Sequence, residues 1–130
     1  MSNIRGLAEI VLTVQDKQAS AAFYRDVLGL EVVSPPEFPG PLFLKAGGDR
    51  AYIANTIVLV PAKAGTPPYA KPQALNHIGF EVDPATFDEE VARLQALGLE
   101  VRSGKHPLYP SRTAYVTDPD GNEVELICPA

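Results

Sequence analysis

The chain has 130 residues, 45% hydrophobic and 21% charged, with a net charge of −5. Those values describe one compact domain with a real core. They leave out a transmembrane helix, because no apolar run approaches the roughly eighteen residues that span a bilayer, and the lack of any basic run leaves out nucleic acid and membrane surfaces as partners.

The single cysteine, Cys128, has no intramolecular disulfide partner, and the first ten residues, MSNIRGLAEI, carry no long apolar segment. Both features place the expected protein in the cytoplasm.

The first element is a strand, in which Ala8, Ile10, Leu12 and Val14 alternate with Glu9, Val11 and Thr13. Period two sends the apolar set to one face and the remainder to the other. A helix follows, capped by Asp16, with Ala19, Ala22, Phe23 and Val27 on its buried side and Gly29 at its end. Strands are expected over roughly 30–34, 42–46 and 51–60. Proline then becomes dense, first in SPPEFPGP (34–41) and again in PAKAGTPPYAKP (61–72), which marks loops and a linker at 61–73.

The second half repeats the order. Ile78, Phe80 and Val82 alternate with His77, Gly79 and Glu81. Asp83 and Pro84 suit a helix start, Phe87, Val91, Leu94 and Leu97 fall at helical spacing, and Gly98 sits at the C-cap. Strands are expected over 99–103, 112–117 and 122–127. The pentapeptide LGLEV occurs at 28–32 and at 97–101. Strand EIVLTV (9–14) aligns with HIGFEV (77–82), and TIVLV (56–60) with EVELI (123–127). The chain is therefore expected to hold a module at 1–60, the linker, and a module at 74–130.

Each module has the order βαβββ. Its helix covers one sheet face and leaves the other open. Two such modules give an α+β fold, a curved mixed sheet around a cleft. Glu9 and His77 are pseudo-equivalent on the first strand of each module, and Val58 and Glu125 on the last. Strand parity turns Glu9, His77 and Glu125 away from the helix, so that three of four related positions offer metal-binding side chains.

The chain resembles the vicinal oxygen chelate superfamily, which includes glyoxalase I, extradiol dioxygenases, fosfomycin-modifying enzymes, methylmalonyl-CoA epimerase and bleomycin-resistance proteins. The segments that carry the resemblance are EIVLTVQD (9–16), SAAFYRDVLGLEVV (20–33), NHIGFEV (76–82) and YVTDPDGNEVELI (115–127). It implies metal ligands at Glu9, His77 and Glu125. The first ligand position, commonly His or Gln in the family, is Glu here, and the fourth is Val58. Two carboxylates and one imidazole favour a hard divalent ion, namely Fe, Mn, Ni or Mg, with Zn also accommodated. The metal would act as a Lewis acid on a small molecule that chelates through adjacent oxygens.

A finer resemblance, to extradiol dioxygenases, spans 104–125. It places His106 and Tyr115 as substrate-site residues, while no second His stands near Ala62-Lys63-Ala64. Arg112 is read either as a cation reaching the cleft or as a surface residue. Phe38, Phe43, Tyr52 and Tyr69 are candidates for an apolar pocket or for ordinary packing. The resemblance implies a metal-dependent dioxygenase, lyase or isomerase, with a bleomycin-resistance-type binding protein that does no chemistry as the alternative. In both readings the protein is a homodimer.

Overall fold

A computed structural model of the chain describes residues 7–47, 55–63 and 75–130. Tyr52, Tyr69 and most of the proline-rich linker lie outside the described residues. The chain divides into two compact units, Met1–Pro68 and Tyr69–Ala130.

In the first unit, strand β1 (Glu9–Val14) leads through Asp16 into helix α1 (Lys17–Ala22). The Asp16 carboxylate accepts from the backbone N–H groups of Gln18 and Ala19, which would otherwise lack partners at the helix start. The helix continues as a wider turn over Phe23–Val27, closed by the Leu28 N–H donating to the Phe23 carbonyl. Gly29 then takes φ +77°, as Gly98 takes +85° in the second unit. The repeated LGLEV thus ends a helix and releases the chain toward a strand at both places. Strands β2 (Glu31–Val32), β3 (Leu42–Lys45) and β4 (Thr56–Pro61) complete a mixed sheet in the order β1-β4-β3-β2, with β1 and β4 parallel. Leu12, Val14, Tyr24, Leu44 and Leu59 form the buried centre of this unit.

The second unit repeats the plan with β5 (His77–Glu81), helix α2 (Phe87–Ala96), β6 (Arg102–Gly104), β7 (Ser111–Thr117) and β8 (Glu123–Pro129), in the sheet order β5-β8-β7-β6. The helix begins later than Asp83 and Pro84 suggest. Asp83 caps only a single 3₁₀ turn, Pro84–Thr86, before α2 sets in at Phe87. Strand β6 is likewise shifted from the expected 99–103 to Arg102–Gly104. Phe87, Leu94, Val116, Val124 and Cys128 are buried between helix and sheet.

The turn between β7 and β8 fixes what faces what. Asp118, itself buried, accepts from the N–H groups of Asp120 and Asn122 through one oxygen and from the Asn122 side chain through the other. This closes the DPDGN loop and sets the register that pairs Tyr115 with Glu125. The two four-stranded mixed sheets, each with its helix, are the α+β arrangement expected from the repeat.

Candidate functional site

Register and parity determine the open face of the second sheet. Val124, Leu126 and Cys128 turn to the helix, so Glu123, Glu125 and Ile127 face the other way. Across the sheet, Glu125 pairs with Gly79 on β5 and with Tyr115 on β7, and Tyr115 pairs with Arg102 on β6. One row of side chains therefore runs Gly79, Glu125, Tyr115, Arg102. The adjoining row holds His77, Glu123 and Thr117.

Glu125 is the chemically unusual member. It is 4% exposed, yet no lysine or arginine pairs with it among the described residues. One oxygen accepts the Tyr115 hydroxyl at 2.6 Å, and the other lies 3.7 Å from His77 Nε2. An isolated buried carboxylate is costly, and these two neighbours supply only one full hydrogen bond. The bond to Glu125, with burial, holds the Tyr115 phenol above its ordinary pKa. His77 Nδ1 lies 2.7 Å from Asn76 Oδ1. An amide oxygen can only accept, so Nδ1 carries a proton, and Nε2, the nitrogen turned toward Glu125, is the one left to bind a metal ion. A carbonyl-type acceptor behind a histidine is the usual support for a metal ligand.

Two glycines hold the space open. A methyl group on Gly79 would lie 3.0 Å from Glu125 Oε1, and one on Gly104 would lie 2.7 Å from Tyr115 Cε2. Gly79 and Gly104 escape sequence reasoning because their roles depend on cross-strand register, while the signal for Asn76 is its position just before His77. The donor set of a buried carboxylate oxygen and an oriented imidazole nitrogen fits a divalent cation. Among the described residues no three His, Cys, Asp or Glu side chains gather as a cluster, so His77 and Glu125 supply two donors within this unit.

The other expected residues are placed as follows. Glu9 lies exposed on β1 of the first unit, paired in register with Thr56. The first sheet repeats the central row in apolar form, with Val58 pairing with Val11 and with Phe43 where Glu125 pairs with Gly79 and with Tyr115. Phe43 meets Phe38 edge to face. His106 is not joined to His77, Tyr115 or Glu125 by any described hydrogen bond, ion pair or ring contact. Its Nδ1 accepts from the Leu108 and Tyr109 N–H groups, and its ring stacks on Tyr109. Arg112 does not reach the open face. It lies 4.6 Å over the Phe87 ring and pairs with Asp88, because its parity is that of Ala114 and Val116, on the helix side.

Thr113 is a further feature of the open face. Its hydroxyl is buried and meets no hydrogen-bond partner, alone in this among the side chains of the described residues. No helix among the described residues is long and apolar enough to cross a membrane.

Residues 6–126 match the family model described as the Glyoxalase/Bleomycin resistance protein/Dioxygenase superfamily. A lactoylglutathione lyase of Salmonella typhimurium is 32% identical, over 93% of this chain and 90% of its own. Among solved structures, a lactoylglutathione lyase from Agrobacterium tumefaciens superposes with a TM-score of 0.72 at 31% identity, covering 98% of this chain and 96% of its own. TnmS3, an antibiotic binding protein from a Streptomyces species, superposes with a TM-score of 0.71 at 25% identity, with both chains covered in full. The duplicated βαβββ order, the matched residues and these likenesses have one conclusion: the chain belongs to the glyoxalase/bleomycin resistance protein/dioxygenase superfamily.

Proposed function

We propose that the protein is a divalent-metal enzyme acting on a small molecule with two adjacent oxygens. The observation that carries this reading is Glu125, a buried carboxylate that no lysine or arginine pairs with among the described residues, 3.7 Å from His77 Nε2. His77 and Glu125 would hold the ion, with Glu9 as the third donor from its equivalent strand position. The ion is Fe, Mn, Ni, Zn or Mg, the carboxylate-rich set favouring the harder members. Bound there, it supplies Lewis acidity toward a substrate oxyanion.

The chain's own residues do the rest. Tyr115 keeps its proton at neutral pH and directs it at Glu125 Oε2, so it can pass that hydrogen bond to a substrate oxygen arriving beside the carboxylate. Asn76 fixes the His77 tautomer. Gly79 and Gly104 keep side-chain bulk off Glu125 and Tyr115. His106 offers Nε2–H as its remaining donor, since Nδ1 is engaged with the backbone. The kinship with lactoylglutathione lyases supports an isomerase or lyase, and the dioxygenase-like segment at 104–125 keeps ring cleavage as the other chemistry to assay. The protein would act as a homodimer in the cytoplasm.

A second reading, sequestration of a metabolite or antibiotic without chemistry, is favoured by the likeness to TnmS3 and by the apolar row Val11, Val58, Phe43. Elemental analysis of the purified protein separates the two. About one divalent ion per chain, lost in His77→Ala and in Glu125→Ala, supports the enzyme. No ion after incubation with Mn²⁺, Fe²⁺, Ni²⁺ or Zn²⁺ overturns it in favour of sequestration.

A further inference from the structure

The open face continues beyond the Glu125 row. One step of two residues along the strands, about 7 Å, brings Glu81, Ile127, Thr113 and Gly104 into the next row, and a further step brings Pro129 and Ser111. Over these lower rows lies a hollow of about 390 Å³, lined by Glu81, Tyr109, Pro110, Ser111, Ile127 and Pro129 among others. Its described lining residues all belong to the second unit and lie in register with the rows of Glu125 and Tyr115. Its walls are an isoleucine, two prolines and a tyrosine ring. Among the described residues its lining holds no lysine, arginine or histidine, and its one carboxylate is Glu81.

The Tyr109 wall is held in place. Tyr109 is 60% exposed, and an exposed ring is ordinarily free to turn. Here His106 stacks on it at 4.9 Å between centroids, and the same imidazole accepts the Tyr109 N–H. Ring and backbone are thus fixed by one side chain. This gives His106 a role away from the carboxylate, as the residue that positions the tyrosine.

We infer that this hollow receives the substrate's tail, and that the tail is uncharged and apolar, an alkyl or aryl group. The inference rests on the reading of His77 and Glu125 as the head site, and it adds the class of substituent that the head carries. Apolar walls reward burial of hydrocarbon. An anionic tail would meet Glu81 with no compensating cation among the described lining residues, which disfavours it.

The test is calorimetric titration of the full-length, Mn²⁺-loaded protein with three probes: catechol, 4-propylcatechol and 3-(3,4-dihydroxyphenyl)propanoate. Each buried methylene is worth about fourfold in affinity, so the propyl compound should bind at least about tenfold tighter than catechol. The propanoate, of similar length, should show no such gain. The propyl-to-catechol ratio should fall toward one in Tyr109→Ala, and more mildly in His106→Ala. Both positions are outside the buried core, and thermal melting verifies that the variants fold. Equal affinity for catechol and 4-propylcatechol, or tighter binding of the propanoate than of the propyl compound, overturns the tail site while leaving the head site standing. Absence of Mn²⁺-dependent binding for catechol itself overturns the head site, and the tail site with it.

Discussion

A methyl group at position 79 is the smallest change that reaches Glu125. Gly79 has no positive φ to protect, so alanine fits its backbone, and a glycine-to-alanine change in such a strand ordinarily stabilises by about 0.5–1 kcal/mol through the unfolded chain. The added carbon, however, would sit 3.0 Å from Glu125 Oε1, about 0.4 Å inside the 3.4 Å at which ordinary contact begins. The carboxylate must yield, because Gly79 lies on a strand backbone paired along its length with β8. Yielding is resisted by the 2.6 Å bond from Tyr115, and a side chain pushed off its preferred rotamer costs about 0.5–1.5 kcal/mol. The two effects offset, so Gly79→Ala should change folding stability by less than about 1 kcal/mol. Metal affinity should respond quite differently. Oε1 is the oxygen that faces His77, and displacing a ligand or its support costs roughly 10- to 100-fold in affinity. Thermal melting and Mn²⁺ calorimetry on the same preparations measure both quantities. A variant that binds Mn²⁺ as tightly as the parent protein refutes the assignment of Oε1 as a ligand.

Three further outcomes are expected. Asp118→Ala removes three hydrogen bonds within the β7–β8 turn from a buried carboxylate and should cost about 2–4 kcal/mol in urea unfolding; a loss below 1 kcal/mol would show that the turn does not depend on it. Thr113→Val deletes a buried hydroxyl without a partner, so stability should hold or rise by about 1 kcal/mol, and a clear fall in melting temperature contradicts the burial argument. Tyr115 holds its proton more tightly folded than unfolded, chiefly through its bond to Glu125. Its contribution is therefore complete below the ordinary phenol pKa near 10 and is lost as pH rises through the higher folded value. Denaturation between pH 8 and 11 should show a steeper alkaline loss for the parent than for Tyr115→Phe, and identical slopes would remove the coupling.

The repeat made the fold legible. Two copies of LGLEV and two matched strand pairs define the element order, and period two alone turns Glu125 away from the helix. What stayed hidden depends on register. Gly79 acts on a carboxylate that the sequence does not place beside it until β5 is paired with β8, residue against residue. Gly104 likewise matters only once β6 is set against β7. Arg112 was open to either face because a charged residue on the helix side is exceptional. It is stable there because Asp88 and the Phe87 ring lie in reach. His106 came from the resemblance to extradiol dioxygenases, and the sequence alone does not show that the Leu108 and Tyr109 amides occupy its Nδ1.

The apolar row of the first sheet gives the polar row of the second its own internal reference. Val11, Val58 and Phe43 occupy the strand positions of Gly79, Glu125 and Tyr115, so a single molecule carries both the hydrocarbon version and the ionisable version of one scaffold position. One copy of the scaffold thus holds a charge where the other holds hydrocarbon. Exchanging the triads, one position at a time, would trace the path by which a structural repeat turns into a reactive one, with each step weighed against a sibling that evolution has already built.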